Sequence, residues 1–320
     1  MARYTYSNTQ TIVLYLATFL CSLIPFMMQA QAQYPQVSFG TIKHLENFVS
    51  AYIQPRNVDV WLPPGYDTTK RYAVLYMHDG QMLFDSAINW NRQEWGVDET
   101  VGRLIAEGKI QPCIVVGIWN GGELRHSEYF PQKPYEALSE EQRKTLLDAS
   151  RPGGASVFNG LPVQSDNYLS FLVKELKPFI DKTYSTYSDA AHTFVAGSSM
   201  GGLISMYAMC EYPQVFGGAA CLSTHWPGVF YTQNNPVPNA IVNYLQGQLP
   251  KPGTHKFYFD YGTTTLDSMY KPFQKQVDEV MKQAGYSLKN WMTKVFVGED
   301  HSENAWRKRL HLPVEFLLGK

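Results

Sequence analysis

A short apolar strand that runs into small residues and then directly into a helix is the feature that most constrains this chain. It is the stretch Phe194-Val195-Ala196-Gly197-Ser198-Ser199-Met200-Gly201-Gly202, with residues 192–196 reading as the strand and residues 200–210 as the helix. A serine held between the two sits in a turn too sharp for relaxed backbone, with its hydroxyl exposed. Gly197 and Gly201 flank it, and the sequence predicts that a Cβ at either place would collide with the neighbouring strand or helix. The turn puts Ser199 at the positive end of the helix and aims the Met200 N–H at the place where an oxyanion would develop. The plainer alternative is a structural turn whose serine caps the helix.

Strands and helices alternate on either side of that turn. Residues 38–63 read as two strands, and residues 71–77, 114–118, 217–222, 256–261 and 291–297 as further strands, most of them continuous apolar runs suited to burial on both faces. Between them, helical patterns run from Trp95-Gly96-Val97-Asp98 towards Glu107, over residues 140–149 and 168–184, over 269–284, and finally through Trp306 and Arg309. Alternation of this kind predicts an α/β fold: a mostly parallel central sheet with helices on both faces. At 320 residues, one such domain plus a short leader is more economical than two domains. Residues 132–164 form the most loop-like stretch, expected to be a lid or substrate wall or else a variable surface excursion.

The leader is residues 1–32. Arg3 begins a weakly basic start, residues 12–28 are apolar, and Ala30-Gln31-Ala32 offers a small-x-small cleavage pattern, so a signal peptide is expected and residues 33–320 are the domain. Pro25 and the absence of basic stop-transfer residues argue against a membrane anchor. Cleavage leaves Cys113, Cys210 and Cys221, which read as buried free thiols, with a Cys210–Cys221 bridge as the alternative. No Cys/His spacing resembles a zinc site, so neither metal nor cofactor is expected. A formal net charge of −1 gives no electrostatic reason to expect nucleic acid or an acidic membrane surface as partner.

The candidate chemistry follows chain order. Ser199, Asp267 and His301 each fall on a loop after a strand. Serine is a poor nucleophile at neutral pH unless an imidazole takes its proton and a carboxylate fixes that imidazole's tautomer. Of the eight histidines, His301 lies on the loop after the terminal strand and is the expected base. Three aspartates compete for the acid. Asp300 adjoins His301 and would diverge from it, and Asp260 lies inside a strand pattern. Asp267 stands far enough beyond its strand for the loop to curl back, although it is also placed to cap the next helix. In a hydrolase of this architecture the loop His78-Asp79-Gly80-Gln81 gives the second oxyanion donor, the Gln81 N–H, while His78 and Asp79 shape that loop. His225 and Trp226, just past a strand end where α/β sheets bind ligands, and Arg125 are the expected substrate contacts.

Together these residues carry a resemblance. His78-Asp79-Gly80-Gln81 with Phe84-Asp85, Trp95-Gly96-Val97-Asp98, Gly197-x-Ser199-x-Gly201-Gly202, Gly262-Thr263 leading to Asp267, and Gly298 to His301 with Trp306 resemble the esterase D-like "putative esterase" family of α/β hydrolases. The family includes feruloyl and acetylxylan esterases, siderophore esterases and mycolyltransferases. The resemblance implies the α/β-hydrolase fold and carboxylic ester hydrolysis through an acyl-serine, with Ser199 as nucleophile and His301 as base. The resulting expectation is a periplasmic or secreted serine esterase acting on acyl groups of a small-molecule or polysaccharide substrate. The alternatives are a siderophore or lactone esterase, an acyltransferase to a carbohydrate hydroxyl, and a non-catalytic carbohydrate-binding relative.

Overall fold

The computed structural model describes Met1 and residues 34–231 and 233–320. The expected signal peptide and its cleavage site lie outside the described residues. Backbone contacts divide the chain into Met1–Tyr34 and Pro35–Lys320, and the second unit carries all the architecture below.

Eight strands form one sheet: β1 (Thr41–Phe48), β2 (Arg56–Leu62), β3 (Ala73–His78), β4 (Cys113–Ile118), β5 (Thr193–Ser198), β6 (Gly218–Leu222), β7 (Lys256–Gly262) and β8 (Trp291–Phe296). Their spatial order is β1-β2-β4-β3-β5-β6-β7-β8. β1 pairs with β2, and β2 with β4, antiparallel; every other pair is parallel. The apolar runs explain who sits in the middle. Every residue of β3, β4, β5 and β6 is buried, whereas β1 and β8 expose part of each strand and form the edges.

Successive side chains of a strand point to opposite faces, so a run of apolar residues makes two cores. Val74 and Tyr76 of β3 join Val195, Phe257 and Phe259 on one face. Ala73, Leu75 and Met77 join Phe194, Ala220 and Tyr258 on the other. The first face is covered by the helical path from Ser165 to Thr183, which contains a π-helical segment at Leu172–Leu176, and by the helices Met200–Glu211, Val237–Gln248 and Lys271–Gln283. The second is covered by Val97–Ala106 and His311–Leu318. Each fully buried Leu, Val or Ile contributes on the order of 1.5–3 kcal/mol, so the two cores dominate the stability. The helix Met200–Glu211 is buried on all sides from Met200 to Cys210, which its unbroken apolar sequence requires.

Residues 132–164 are loop-like apart from two short helices: Glu140–Leu147, within the helix expected over 140–149, and Gln132–Glu136, which was not expected; the stretch also buries Leu138, Leu146, Val157 and Phe158 in the first core. Between β6 and β7 lies a helix, Val237–Gln248, that was not expected; Val237, Ile241 and Leu245 are its buried stripe at helical spacing. Cys113, Cys210 and Cys221 are buried free thiols, and Cys210 and Cys221 are not bridged. Among the described residues no helix is long and apolar enough to cross a membrane.

Candidate active site

β5 ends in the turn and Ser199 takes φ 58° and ψ −122°, a conformation that side-chain-bearing residues avoid. Two anchors hold it there: the Ser199 N–H donates to the Leu222 carbonyl of β6 at 2.9 Å, and the Leu203 N–H closes the first helical turn onto the Ser199 carbonyl at 3.1 Å. A Cβ on Gly197 would stand 2.7 Å from the Gly201 carbonyl carbon, so strand and helix approach closely only because residue 197 has no side chain. Gly201 differs from the expectation. A Cβ there would meet Asp79 Oδ2 at 3.3 Å and His78 Cβ at 3.4 Å, which is tight but not a collision.

Ser199 and His301 open onto one cleft of about 520 Å³ at the carboxyl ends of the strands, together with Gln81 and Met200. His301 Nδ1–H donates to Asp267 Oδ1 at 2.5 Å. Asp267 is completely buried, and its other oxygen accepts from Ser223 Oγ–H at 2.5 Å and from the Gly262 N–H at 2.5 Å. Ser223 in turn accepts from Trp306 Nε1–H at 3.0 Å and from Arg309 at 2.9 Å. The carboxylate is thus held in place on both oxygens, and of the three competing aspartates it is the one the structure brings to His301. Asp260 is buried beneath it in an ion pair with Arg309 at 3.0 Å; burial pushes its carboxyl up, against the pull of Arg309. Asp300 instead accepts from Ser302 Oγ–H at 2.6 Å.

The loop after β3 lies across from this pair. Asp79 adopts the left-handed conformation, φ 57°, and Gly80 passes so near β4 that a Cβ would stand 2.4 Å from the Gly117 carbonyl carbon. Arg125 grips Asp79 with two hydrogen bonds, Nε–H to Oδ1 at 2.6 Å and Nη2–H to Oδ2 at 2.8 Å, and Asn120 adds a third at 2.7 Å. Burial alone would raise the Asp79 carboxyl, but the Arg125 charge and these hydrogen bonds outweigh it and hold it below the usual range. Among the described residues, no acceptor takes the N–H of Gln81 or of Met200. Both therefore remain available to an oxygen lodged beside Ser199.

The three expected substrate contacts separate. Arg125 lines the cleft, but its charge is committed to Asp79, so it shapes the loop that carries Gln81. His225 also lines the cleft; it is buried, and its Nδ1 is hydrogen-bonded to the Tyr270 hydroxyl at 2.8 Å. Burial, and then the nearby His301, push the His225 imidazole well below its ordinary pKa. Trp226 does not reach the cleft. It is buried against Phe259 with its Nε1–H donating to Gln274 at 3.0 Å, while its neighbour His225 faces the cleft.

Sequence reasoning missed Tyr270, whose buried hydroxyl is hydrogen-bonded to His225 Nδ1 at 2.8 Å and whose ring stands edge-on to that of His301 at 6.0 Å. Its position three residues after Asp267 was the available signal. Also missed were Trp90 and Arg151, both on the cleft wall; Arg151 lies in the stretch expected to serve as lid or wall.

Comparison with known proteins gives a consistent result. The family model described as "Putative esterase" matches residues 50–312. The uncharacterized protein YbbA of Bacillus subtilis is 24% identical over 272 residues, covering 83% of this chain and 93% of that protein. An endo-1,4-beta-xylanase/feruloyl esterase of Xylanibacter ruminicola is 27% identical over 219 residues, covering 64% of this chain but only 24% of that larger protein. Among solved structures, a ferulic acid esterase superposes with a TM-score of 0.61 at 19% identity, covering 87% of this chain and 98% of its own. The enterobactin esterase of Shigella flexneri superposes with a TM-score of 0.59 at 15% identity, covering 88% and 60%. At these identities the structural likenesses show the shared fold.

Proposed function

This chain belongs to the "putative esterase" family, and from that premise we propose that it hydrolyses carboxylic esters through an acyl-serine at Ser199, the acyl group being carried by a carbohydrate. The observation that carries the reading is the 2.5 Å hydrogen bond from His301 to the sealed Asp267, in the cleft that also exposes the strained Ser199.

In this reading Ser199 Oγ attacks the ester carbonyl while His301 Nε2 takes its proton. Asp267 keeps the other ring nitrogen protonated and stabilises the imidazolium that forms. The oxygen of the tetrahedral intermediate settles between the Gln81 and Met200 N–H groups, at the positive end of the helix Met200–Glu211. One such donor is worth about 2.7–4 kcal/mol of barrier. Collapse expels the alcohol, which receives its proton from His301, and water then repeats the sequence on the acyl-serine. The carbohydrate half of the proposal draws on the feruloyl esterase relatives and on the leader, which suits a substrate met outside the cytoplasm. The enterobactin esterase likeness favours a lactone or siderophore ester as the second reading.

The test is a panel of acetyl, feruloyl and lactone esters, with and without an acceptor sugar, assayed against wild type and Ser199→Ala. The substitution removes one hydroxyl from a solvent-facing turn, so the fold is expected to survive while turnover and fluorophosphonate labelling both disappear. A well-folded variant that keeps more than about a twentieth of wild-type kcat would end the acyl-serine reading. The panel itself separates sugar esters from lactones and hydrolysis from transfer.

A further inference from the structure

Trp90 lines the cleft and is 87% exposed, whereas Trp95 and Trp306, which also line it, are buried. A single exposed apolar side chain is ordinary, so the argument rests on how this one is held and what surrounds it.

The loop that carries it, residues 85–94, is fastened to the helix Glu303–Arg309, the element that follows His301. Asn91 Nδ2–H donates to Glu303 at 2.9 Å, the Asn304 N–H donates to Gln93 Oε1 at 3.3 Å, and Glu94 pairs with Arg307. Within the loop, the Ser86 N–H donates to Glu94 at 2.7 Å and Asn89 Nδ2–H to the Gln93 carbonyl at 2.6 Å. The indole is therefore presented from a braced loop, at a fixed place relative to His301.

That place identifies the half of the substrate it meets. His301 hands its proton to the departing alcohol, so groups anchored to the helix after His301 stand on the alcohol side. Arg151 and Phe230, which also line the cleft, are engaged with each other, the guanidinium sitting over the Phe230 ring at 5.4 Å. Around the bare indole are two amides and a carboxylate: Asn91, Gln93 and Glu303. A pyranose has the matching chemistry, with an apolar C–H face to lay on an aromatic ring and a rim of hydroxyls to share with amides and a carboxylate. A simple alkyl alcohol would leave the polar rim unused, and an anionic alcohol would meet Glu303.

We propose that Trp90, with Asn91, Gln93 and Glu303, forms a subsite for a pyranose ring in the alcohol half of the ester. The proposal rests on the reading of this chain as a serine esterase acting on carbohydrate esters.

The experiment compares two esters of one acid, the acyl group that wild type hydrolyses fastest, as its methyl ester and as its xylopyranosyl ester. Trp90→Ala is expected to lower kcat/KM for the sugar ester by about tenfold or more, chiefly through KM, because a truncated aromatic anchor loses its binding contribution. The methyl ester should change by less than about twofold, and Trp90→Phe should recover most of the sugar-ester activity. Equal losses on both esters, or no loss on either, would overturn the subsite. Failure of the underlying reading looks different, since it shows in wild type: no preference for the sugar ester over the methyl ester removes the carbohydrate proposal and the subsite together. Thermal melting of each variant confirms that an exposed position was changed without unfolding the domain.

Discussion

Two carboxylates flank the candidate site around Ser199, and they are built in opposite ways. Asp267 is sealed from solvent and engages the imidazole of His301, the group that gains and loses a proton in each cycle of the proposed mechanism. Asp79 edges the cleft and engages the guanidinium of Arg125, which never releases its proton. The base side therefore couples a fixed acid to a titrating partner, while the oxyanion side locks a loop with charges whose protonation is pinned. In the proposed mechanism the difference assigns proton transfer to one arm of the site and immobility to the other. Both are needed because a carbonyl oxygen misplaced by a fraction of an ångström misses its donors.

The sharpest way to break this division is Asp267→Asn. An amide there leaves the imidazole in the wrong tautomer, and kcat is expected to fall at least about a hundredfold and towards about 10⁴-fold. Asp260→Asn and Asp300→Asn are expected to cost under about tenfold in kcat, although the Asp260 change strips the partner from buried Arg309 and should destabilise the fold by about 3–5 kcal/mol. Steady-state kinetics beside urea unfolding separate the two effects. Near-wild-type kcat in Asp267→Asn would reduce the site to a serine–histidine pair or move the acid elsewhere.

On the oxyanion side, Arg125→Met keeps the bulk and removes the grip on Asp79. An effect of about ten- to a hundredfold in kcat with little change in KM is expected, because the loss falls on transition-state contacts. A pure KM effect would mean that Arg125 touches substrate after all.

The smallest effect on rate separates the arms by pH. Burial depresses the imidazole of His78 to about 3, despite the neighbouring Asp79, and that of His126 also to about 3. Both stay neutral wherever His301 works, so the acid limb of kcat/KM should be unmoved by His78→Gln. Stability should respond instead. The unfolded chain protonates these histidines near pH 6.5 and the native state refuses the proton. Their contribution is thus complete above about pH 6.5 and is lost as pH falls towards 3, by about 1.4 kcal/mol per histidine per pH unit. Between about pH 7.5 and about pH 5.5, urea unfolding should show a loss of stability smaller by about 1.4 kcal/mol in His78→Gln than in wild type; an unchanged loss would contradict the burial argument.

Much of this was legible in the residues. Apolar runs and the turn around Ser199 are local signals, and they led to the strands, the helix behind the serine and the order of Ser199, Asp267 and His301. Asp267 was legible because loop length limits which aspartate reaches back. Pairings made only by folding were not legible. Arg125 looks like a free cation in the sequence, and only the contact of β3 with β4 reveals that Asp79 consumes its charge. Trp226 looked like a cleft residue because strand ends point there, yet only its neighbour His225 faces the cleft, and the indole is buried against Phe259 and Gln274. The braced loop under Trp90 depends on Glu303, Asn304 and Arg307, more than two hundred residues away.

The strained turn at Ser199 also says something about descent. Its backbone costs on the order of 1–3 kcal/mol that glycine would not incur, so the fold and the chemistry pull this codon in opposite directions. On the proposed mechanism, selection for turnover is what keeps the serine. A lineage released from that selection gains stability at its first step by drifting to glycine at position 199, with sheet and helices untouched. Descendants that have lost the reaction would then carry their history as an elbow of unbroken small residues, sturdier than the ancestor and inert.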